Sequence, residues 1–137
     1  MSGETDLGTM LRGLRPELHE AAWVFCTLPA GRIADLPEES LGIFREAEGL
    51  TLIIGQAVAD RLGYSYEAQW AWISLSVYSS LQAVGLMAAV SSALARAGIS
   101  VNPVAGFYHD HLFVPWEERW KALEVLGELS RGLYDRA

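Results

Sequence analysis

One cysteine among 137 residues rules out an internal disulfide. Cys26 stands in the apolar run Trp23-Val24-Phe25-Cys26 and reads as a small buried hydrophobe rather than a nucleophile. A lone cysteine without a secretory leader fits a reducing compartment, so a cytoplasmic location is expected. Positive charge is scarce too: 10 basic residues against 17 acidic ones leave a net charge of −7, and the basic side chains are scattered singly. Nucleic-acid binding needs clustered Lys and Arg to displace counterions, so no nucleic-acid partner is expected. No apolar run reaches the roughly 18–20 residues of a membrane-spanning helix. The nearest, Leu81 to Ala95, carries Gln82, Ser91 and Ser92 and reads as a buried helix, so no membrane partner is expected either. The Gly-x-Ser-x-Gly elbow, the Gly-x-Gly-x-x-Gly loop and the Walker loop are missing, and Glu38-Glu39 and Glu46/Glu48 read as solvated charge. The sequence therefore points to no catalytic residue, no cofactor and no metal.

What is present is the pattern of a small α+β chain. Leu7, Met10, Leu11 and Leu14 recur at helical spacing before Pro16. Trp23 to Leu28 is aromatic and β-branched, a strand by composition, ended by Pro29-Ala30-Gly31. Asp35 to Ser40 reads as loop, Gly42 to Glu46 as a short strand and Leu50 to Ile54 as another. Gln56 to Leu62 follows as a brief helix closed by Gly63. From Trp70 to Tyr78, Ala71, Ile73, Leu75 and Val77 alternate with Ser74 and Ser76 in the manner of a half-buried strand. Ser79 lies three residues before Gln82, a capping-box spacing that would open a helix there, although Ser80 fits the cap equally. That helix is expected to run to about Ala97, burying Ala83, Met87, Val90, Leu94 and Ala97. Strands over Ile99 to Ala105 and His111 to Val114, joined near Gly106, precede a last helix opened by Pro115. Its expected buried stripe is Trp116, Trp120, Leu123, Leu126 and Leu133. The second half thus reads strand, helix, strand, strand, helix, an antiparallel sheet with helices on one face in the ferredoxin-like manner.

Two constellations bear on chemistry. His109 and His111 are two apart on a strand and share a face, which opens structural, ligand-contact and metal readings. No further Cys/His group accompanies them, and the structural reading is favoured. The other is Ser79 to Met87, where a strand feeds a helix. Free N–H groups and the positive end of the dipole at a helix start suit a carboxylate. Gly85 there permits close approach, and Asn102 on the next strand offers both donor and acceptor. Plain capping with tight packing at Gly85 is the competing account.

The segments Leu81-Gln82-Ala83-Val84-Gly85-Leu86-Met87-Ala88-Ala89-Val90, Gly98-Ile99-Ser100-Val101-Asn102 and Gly106-Phe107-Tyr108-His109-Asp110-His111-Leu112-Phe113-Val114-Pro115 resemble ACT domains. With Phe44-Arg45-Glu46-Ala47-Glu48-Gly49-Leu50-Thr51-Leu52, they are similar to small bacterial proteins built of two tandem ACT-like units. The resemblance implies βαββαβ units, divided as 1–65 and 66–137, that pair side by side. It implies a regulatory module binding an amino acid or related effector between units, with no activity of its own. Carried over residue by residue, the family's contacts fall on Ser79, Ser80, Val84, Gly85, Leu86 and Asn102, with Val104 behind. It also makes the histidine pair a mark of the fold. With no catalytic domain in the sequence, output would pass through a regulated protein partner, and a homodimer is expected. The alternative is a structural or protein-interaction module that has lost its ligand.

Overall fold

The computed structural model describes residues 3–29 and 32–132. Their elements are α1 (Leu7–Arg12), β1 (Pro16–Leu28), a 3-10 turn (Ile33–Asp35), β2 (Gly42–Glu46), β3 (Gly49–Gly55) and α2 (Gln56–Leu62). There follow β4 (Trp70–Leu75), α3 (Leu86–Arg96), β5 (Asn102–Ala105), β6 (Asp110–Pro115), a 3-10 turn (Trp116–Glu118) and α4 (Arg119–Ser130). The architecture is α+β, and the strand pairs β1/β3, β2/β3 and β5/β6 are antiparallel. The chain divides into two compact units. One joins the residues up to His19 with those from Ala71 onward; the other is Glu20–Trp70.

In the discontinuous unit the strand order is β1-β4-β6-β5, β1 being represented by its first residues. Ala71, Ile73 and Leu75 of β4 and Leu112 and Val114 of β6 point to one face, by the two-residue period of a strand. Against them pack Met10 and Leu11 of α1, Leu86, Ala89, Val90, Ala93 and Leu94 of α3, and Ala122, Val125, Leu126 and Leu129 of α4. Helix α1 is only six residues long, too short to persist by itself. Asp6 caps it by accepting from the Thr9 N–H at 2.8 Å, and Met10, Leu11 and Leu14 are fully buried. Helix α3 ends at Arg96 and is closed by Gly98 just beyond it, whose φ of 76° suits glycine: Ile99 N–H donates to the Leu94 carbonyl and Gly98 N–H to that of Ala95, both at 2.9 Å.

In the Glu20–Trp70 unit the order is β2-β3-β1. Val24 and Cys26 of β1, Leu52 and Ile54 of β3, and Ala59 of α2 form a small core of their own. The expectation of a buried, inert Cys26 agrees with its 4% exposure, and burial pushes its thiol pKa up. Among the described residues, only a 3-10 turn connects β1 to β2, where a βαββαβ unit has its first helix.

Several expected boundaries move, each for a physical reason. Strand β1 begins at Pro16 rather than Trp23, because Leu18 reaches the core while Glu17 and His19 alternate away from it. Strand β4 ends at Leu75, where Ser76 N–H turns to the Leu14 carbonyl at 3.0 Å. Helix α3 starts at Leu86, not Ser79: the Ser79 hydroxyl donates to Asp110 instead of capping, and the Ser80 hydroxyl and carbonyl accept the Gln82 and Ala83 N–H groups of a local turn. Strand β5 starts at Asn102, since Ile99 serves the end of α3. The stripe of α4 is Ala122, Val125, Leu126 and Leu129. Trp120 precedes Ala122 by about 200° of helical rotation and is 65% exposed. Leu133, also assigned to that stripe, and Ala30-Gly31, read as a strand end, lie outside the described residues.

Candidate functional site

The strand β4 and helix α3 are joined by the loop 76–85, and a short extended segment lies against it. Glu4 N–H donates to the Tyr78 carbonyl at 2.8 Å, and Ser80 N–H donates to the Glu4 carbonyl at 2.9 Å, a parallel bridge. A Cβ on Gly3 would come within 2.6 Å of Ser79 backbone, so only glycine permits this approach. Ser79 is 6% exposed, and its hydroxyl donates to Asp110 at 3.2 Å. The loop is thereby held at Tyr78–Ser80 from both sides.

Beyond Ser80 the loop is open. Leu81 is 63% and Val84 83% exposed. Gly85 precedes α3 with φ 97°, a left-handed conformation that glycine adopts readily. It makes no side-chain cap, so the first-turn N–H groups of α3 have no partner within the helix. A Cβ at Gly85 would meet Leu7 Cδ2 at 3.3 Å, while Leu86 itself is buried in the core.

Of the residues singled out in the sequence, the structure places Ser79, Ser80, Val84, Gly85 and Leu86 on this loop and helix start. Ser79 and Leu86 are internal; Val84 is the accessible one. Asn102 and Val104 lie on β5, opposite Phe113 and His111. They therefore share the sheet face of His111, whereas α3 packs on the face of Leu112 and Val114. The Ser80 N–H is not a free donor, as it already serves Glu4.

The histidines are tied into the sheet. The His109 Nδ1–H donates to the Val77 carbonyl at 3.2 Å. On the face away from the helices, Trp72 Nε1–H donates to His111 Nδ1 at 3.0 Å, Ser74 Oγ lies 3.0 Å from the same nitrogen, and His19 Nε2 lies 2.8 Å from Ser74 Oγ. An indole can only donate, so His111 Nδ1 is bare. All three contacts are then met when Ser74 donates to it and His19 Nε2–H donates to Ser74. The His19 ring stacks on Trp72 at 3.4 Å between centroids. Among the described residues no group of three His, Cys, Asp or Glu side chains that could hold a metal is present. The sequence reading missed this network, although the alternation of Glu17, Leu18 and His19 carried a signal for its first member.

Burial lowers the pKa of His19, with Glu17 partly opposing. Burial likewise lowers that of His111, helped by His109 and His19 and opposed by Asp110. The folded protein therefore takes up these protons at lower pH than the unfolded chain, whose histidines titrate near about 6.5. Stability is fully present above that value and is lost as pH falls below it. We expect the urea midpoint to drop between pH 7.5 and 5.5, and the double variant His19→Gln, His111→Gln to flatten that slope. An unchanged slope in the variant would place the titrating groups elsewhere.

Comparison with known proteins gives the class. ACT domain models match residues 2–71 and again 67–128. The chain belongs to the ACT domain family, a family of regulatory small-molecule-binding modules, and carries two such matches in tandem. A Vibrio cholerae protein of unknown function, described as a possible transport protein, is 43% identical; the match covers 90% of this chain and 95% of that one, with a TM-score of 0.82. A protein from Agrobacterium tumefaciens is 20% identical over 84% of this chain and 87% of its own, with a TM-score of 0.67. The ligand-free regulatory subunit of aspartate kinase from Thermus thermophilus shares the fold at 11% identity, covering 85% of this chain and 98% of its own, with a TM-score of 0.60. No curated protein matches the chain. Among the described residues no helix is long and apolar enough to cross a membrane.

Proposed function

We propose that this protein is a cytoplasmic sensor of an amino acid or closely related metabolite, without catalytic activity, that acts on a separate protein partner. The observation that carries this reading is the start of α3: a left-handed Gly85 leaves the first-turn N–H groups uncapped, with Leu81 and Val84 exposed beside them. Uncapped N–H groups at the positive end of a helix dipole bind carboxylate, and flanking aliphatic side chains suit a ligand with an apolar part. Val84, Gly85 and the Ser80 side chain form the ligand loop. Ser79 and Leu86 support it from inside, whereas Asn102 and Val104 of β5 lie on the opposite face of the sheet and stand outside this loop. The tandem ACT matches and the regulatory-subunit fold likeness support the same reading.

We further propose two ACT units dividing near residues 65 and 66, with a single ligand loop per chain. The β1–β2 connection offers no comparable helix start among the described residues.

Thermal shifts and native mass spectra against the twenty amino acids and common nucleotides test the proposal. A ligand at a hundredfold excess over its Kd adds about 2.7 kcal/mol, enough to move Tm by several degrees. Val84→Asp puts a negative charge beside the α3 start without disturbing packing, so it should weaken a carboxylate hit at least about tenfold. Gly85 itself is unsuitable for substitution, because its φ and the nearby Leu7 would perturb the fold. Silence across the panel, or a hit indifferent to Val84→Asp, overturns the reading. A protein-interaction role is favoured by a separate cluster of exposed aromatics, Phe107 at 61% and Tyr108 at 62%, and gains in that event.

A further inference from the structure

Three chain segments meet at the end of the discontinuous unit where β6 begins. Gly106 N–H donates to the His109 carbonyl at 2.9 Å and closes the turn between β5 and β6. A Cβ on Gly106 would stand 2.8 Å from that carbonyl oxygen, so the tight turn takes glycine. His109 Nδ1–H donates to the Val77 carbonyl and Asp110 accepts from the Ser79 hydroxyl, which ties the turn to the loop after β4. Glu4 joins the same loop through its backbone bonds to Tyr78 and Ser80.

Three aromatic rings stand on this frame. Phe107 and Tyr108 occupy the turn, both exposed, with centroids 5.1 Å apart edge to face. Tyr78, half-buried, packs on Tyr108 at 5.6 Å with a tilt of 48°. A single exposed apolar side chain is ordinary, but rings packed on one another in the open form a patch. Their π faces attract cations. The far end of β6 satisfies that preference internally, since the Arg119 guanidinium lies 3.8 Å over the Trp116 ring. Among the described residues no lysine or arginine stands over Phe107 or Tyr108.

The charge around the patch has one sign. Asp6 is offset by the nearby Arg12, whereas among the described residues Glu4 and Asp110 form no ion pair. Residues 3–11, 62–95 and 97–118, which include all three segments, contain no lysine or arginine. Arg96 ends α3, about 15 Å along the helix axis from its start. Arg15 precedes β1, on the far side of β4 from β6.

We infer that this patch docks an arginine-bearing segment of a separate protein, its guanidinium lying on Tyr108 and Phe107 where Glu4 and Asp110 supply the opposite charge. Arginine suits the patch better than lysine, because a flat, weakly hydrated guanidinium stacks on rings and pairs with carboxylates. An acidic segment would meet like charge. Such docking presupposes that this chain acts on a separate protein, as already proposed, but needs nothing from the start of α3.

The probe is a fluorescein-labelled peptide of three arginines spaced by glycine, titrated with the whole chain in the absence of any amino acid. Its anisotropy should give a Kd tighter than about 500 µM at low salt, rising as salt is added. The lysine counterpart should bind at least about threefold more weakly, and the glutamate counterpart not measurably. Tyr108→Ser should weaken the arginine peptide at least about fivefold, and Phe107→Ser serves if that variant disturbs Tyr78. Glu4→Gln keeps an oxygen for the Thr5 and Asp6 N–H groups and should weaken binding about twofold. Phe44→Ser, which removes an exposed ring of the other unit, should change nothing. Equal binding of the arginine and lysine peptides would mean bulk attraction to a chain of net charge −7 and overturns the proposal. So does the absence of binding, or binding indifferent to both Tyr108→Ser and Phe107→Ser. Since no effector is present, that failure leaves the amino-acid reading intact, and an effector panel without hits leaves this surface standing.

Discussion

Leu11→Ala is expected to lower stability by about 2–5 kcal/mol, although α1 is one of the shortest helices in the chain. Leu11 is fully buried, and α1 packs on both α3 and α4. Removing the side chain leaves a cavity among residues drawn from three helices, and a helix of six residues has no reserve of its own to hold its place. The loss is expected in the unit that contains α3 and α4, although Leu11 stands in the first half of the sequence. Urea denaturation gives the magnitude, and hydrogen exchange gives the location: amides of Leu86–Arg96 and Arg119–Ser130 should exchange faster. A loss under about 1 kcal/mol would mean that α1 does not complete this core.

Gly49→Ala is the second large effect, with an expected cost of about 2–4 kcal/mol. Gly49 opens β3 with φ 150°, outside the range an L-residue prefers in a strand. A Cβ there would stand 2.7 Å from the Pro29 Cα and 3.1 Å from the Leu28 carbonyl oxygen. These are backbone atoms and cannot swing aside as a side-chain tip would. Relief requires β3 to shift against β1, where Leu50 pairs with Leu28, and Leu52 and Ile54 fill the small core of that unit. Gly63→Ala is the matching control: its φ is 72°, yet a Cβ there meets nothing within 4 Å. It should cost only about 1 kcal/mol, the conformational part alone. Equal losses in the two variants would refute the role of the clash.

The strands with clear alternation were legible in the sequence. Trp70 to Leu75 showed its period because serines faced one side and aliphatic residues the other, and Gly42 to Glu46 was bounded by turn residues. The early part of β1 was not legible: Glu17, His19 and Glu20 look like surface loop until Leu18 is known to face the core. The start of α3 was misplaced because Ser79 and Gln82 satisfy a local capping rule, while the hydroxyl is claimed by Asp110, thirty-one residues away. A local pattern cannot report a distant competitor for the same donor. In the candidate site, Gly85 was legible as a special backbone position. The pairing of Ser80 with Glu4 was not, since backbone hydrogen bonds leave no mark on residue type. Nor was the network of Trp72, Ser74, His19 and His111, whose members come from three separate strands.

The discontinuity of the larger unit has a consequence for biosynthesis. The residues up to His19 leave the ribosome ahead of Glu20–Trp70, yet their packing partners begin only at Ala71. At about 5–20 residues per second, the nascent segment with Met10, Leu11 and Leu14 waits several seconds before α3 and α4 emerge. The Glu20–Trp70 unit meets no such delay, because its core residues all lie within that stretch. The second unit in the order of translation is thus the first able to close, and the amino-terminal helix is among the last pieces to find its place.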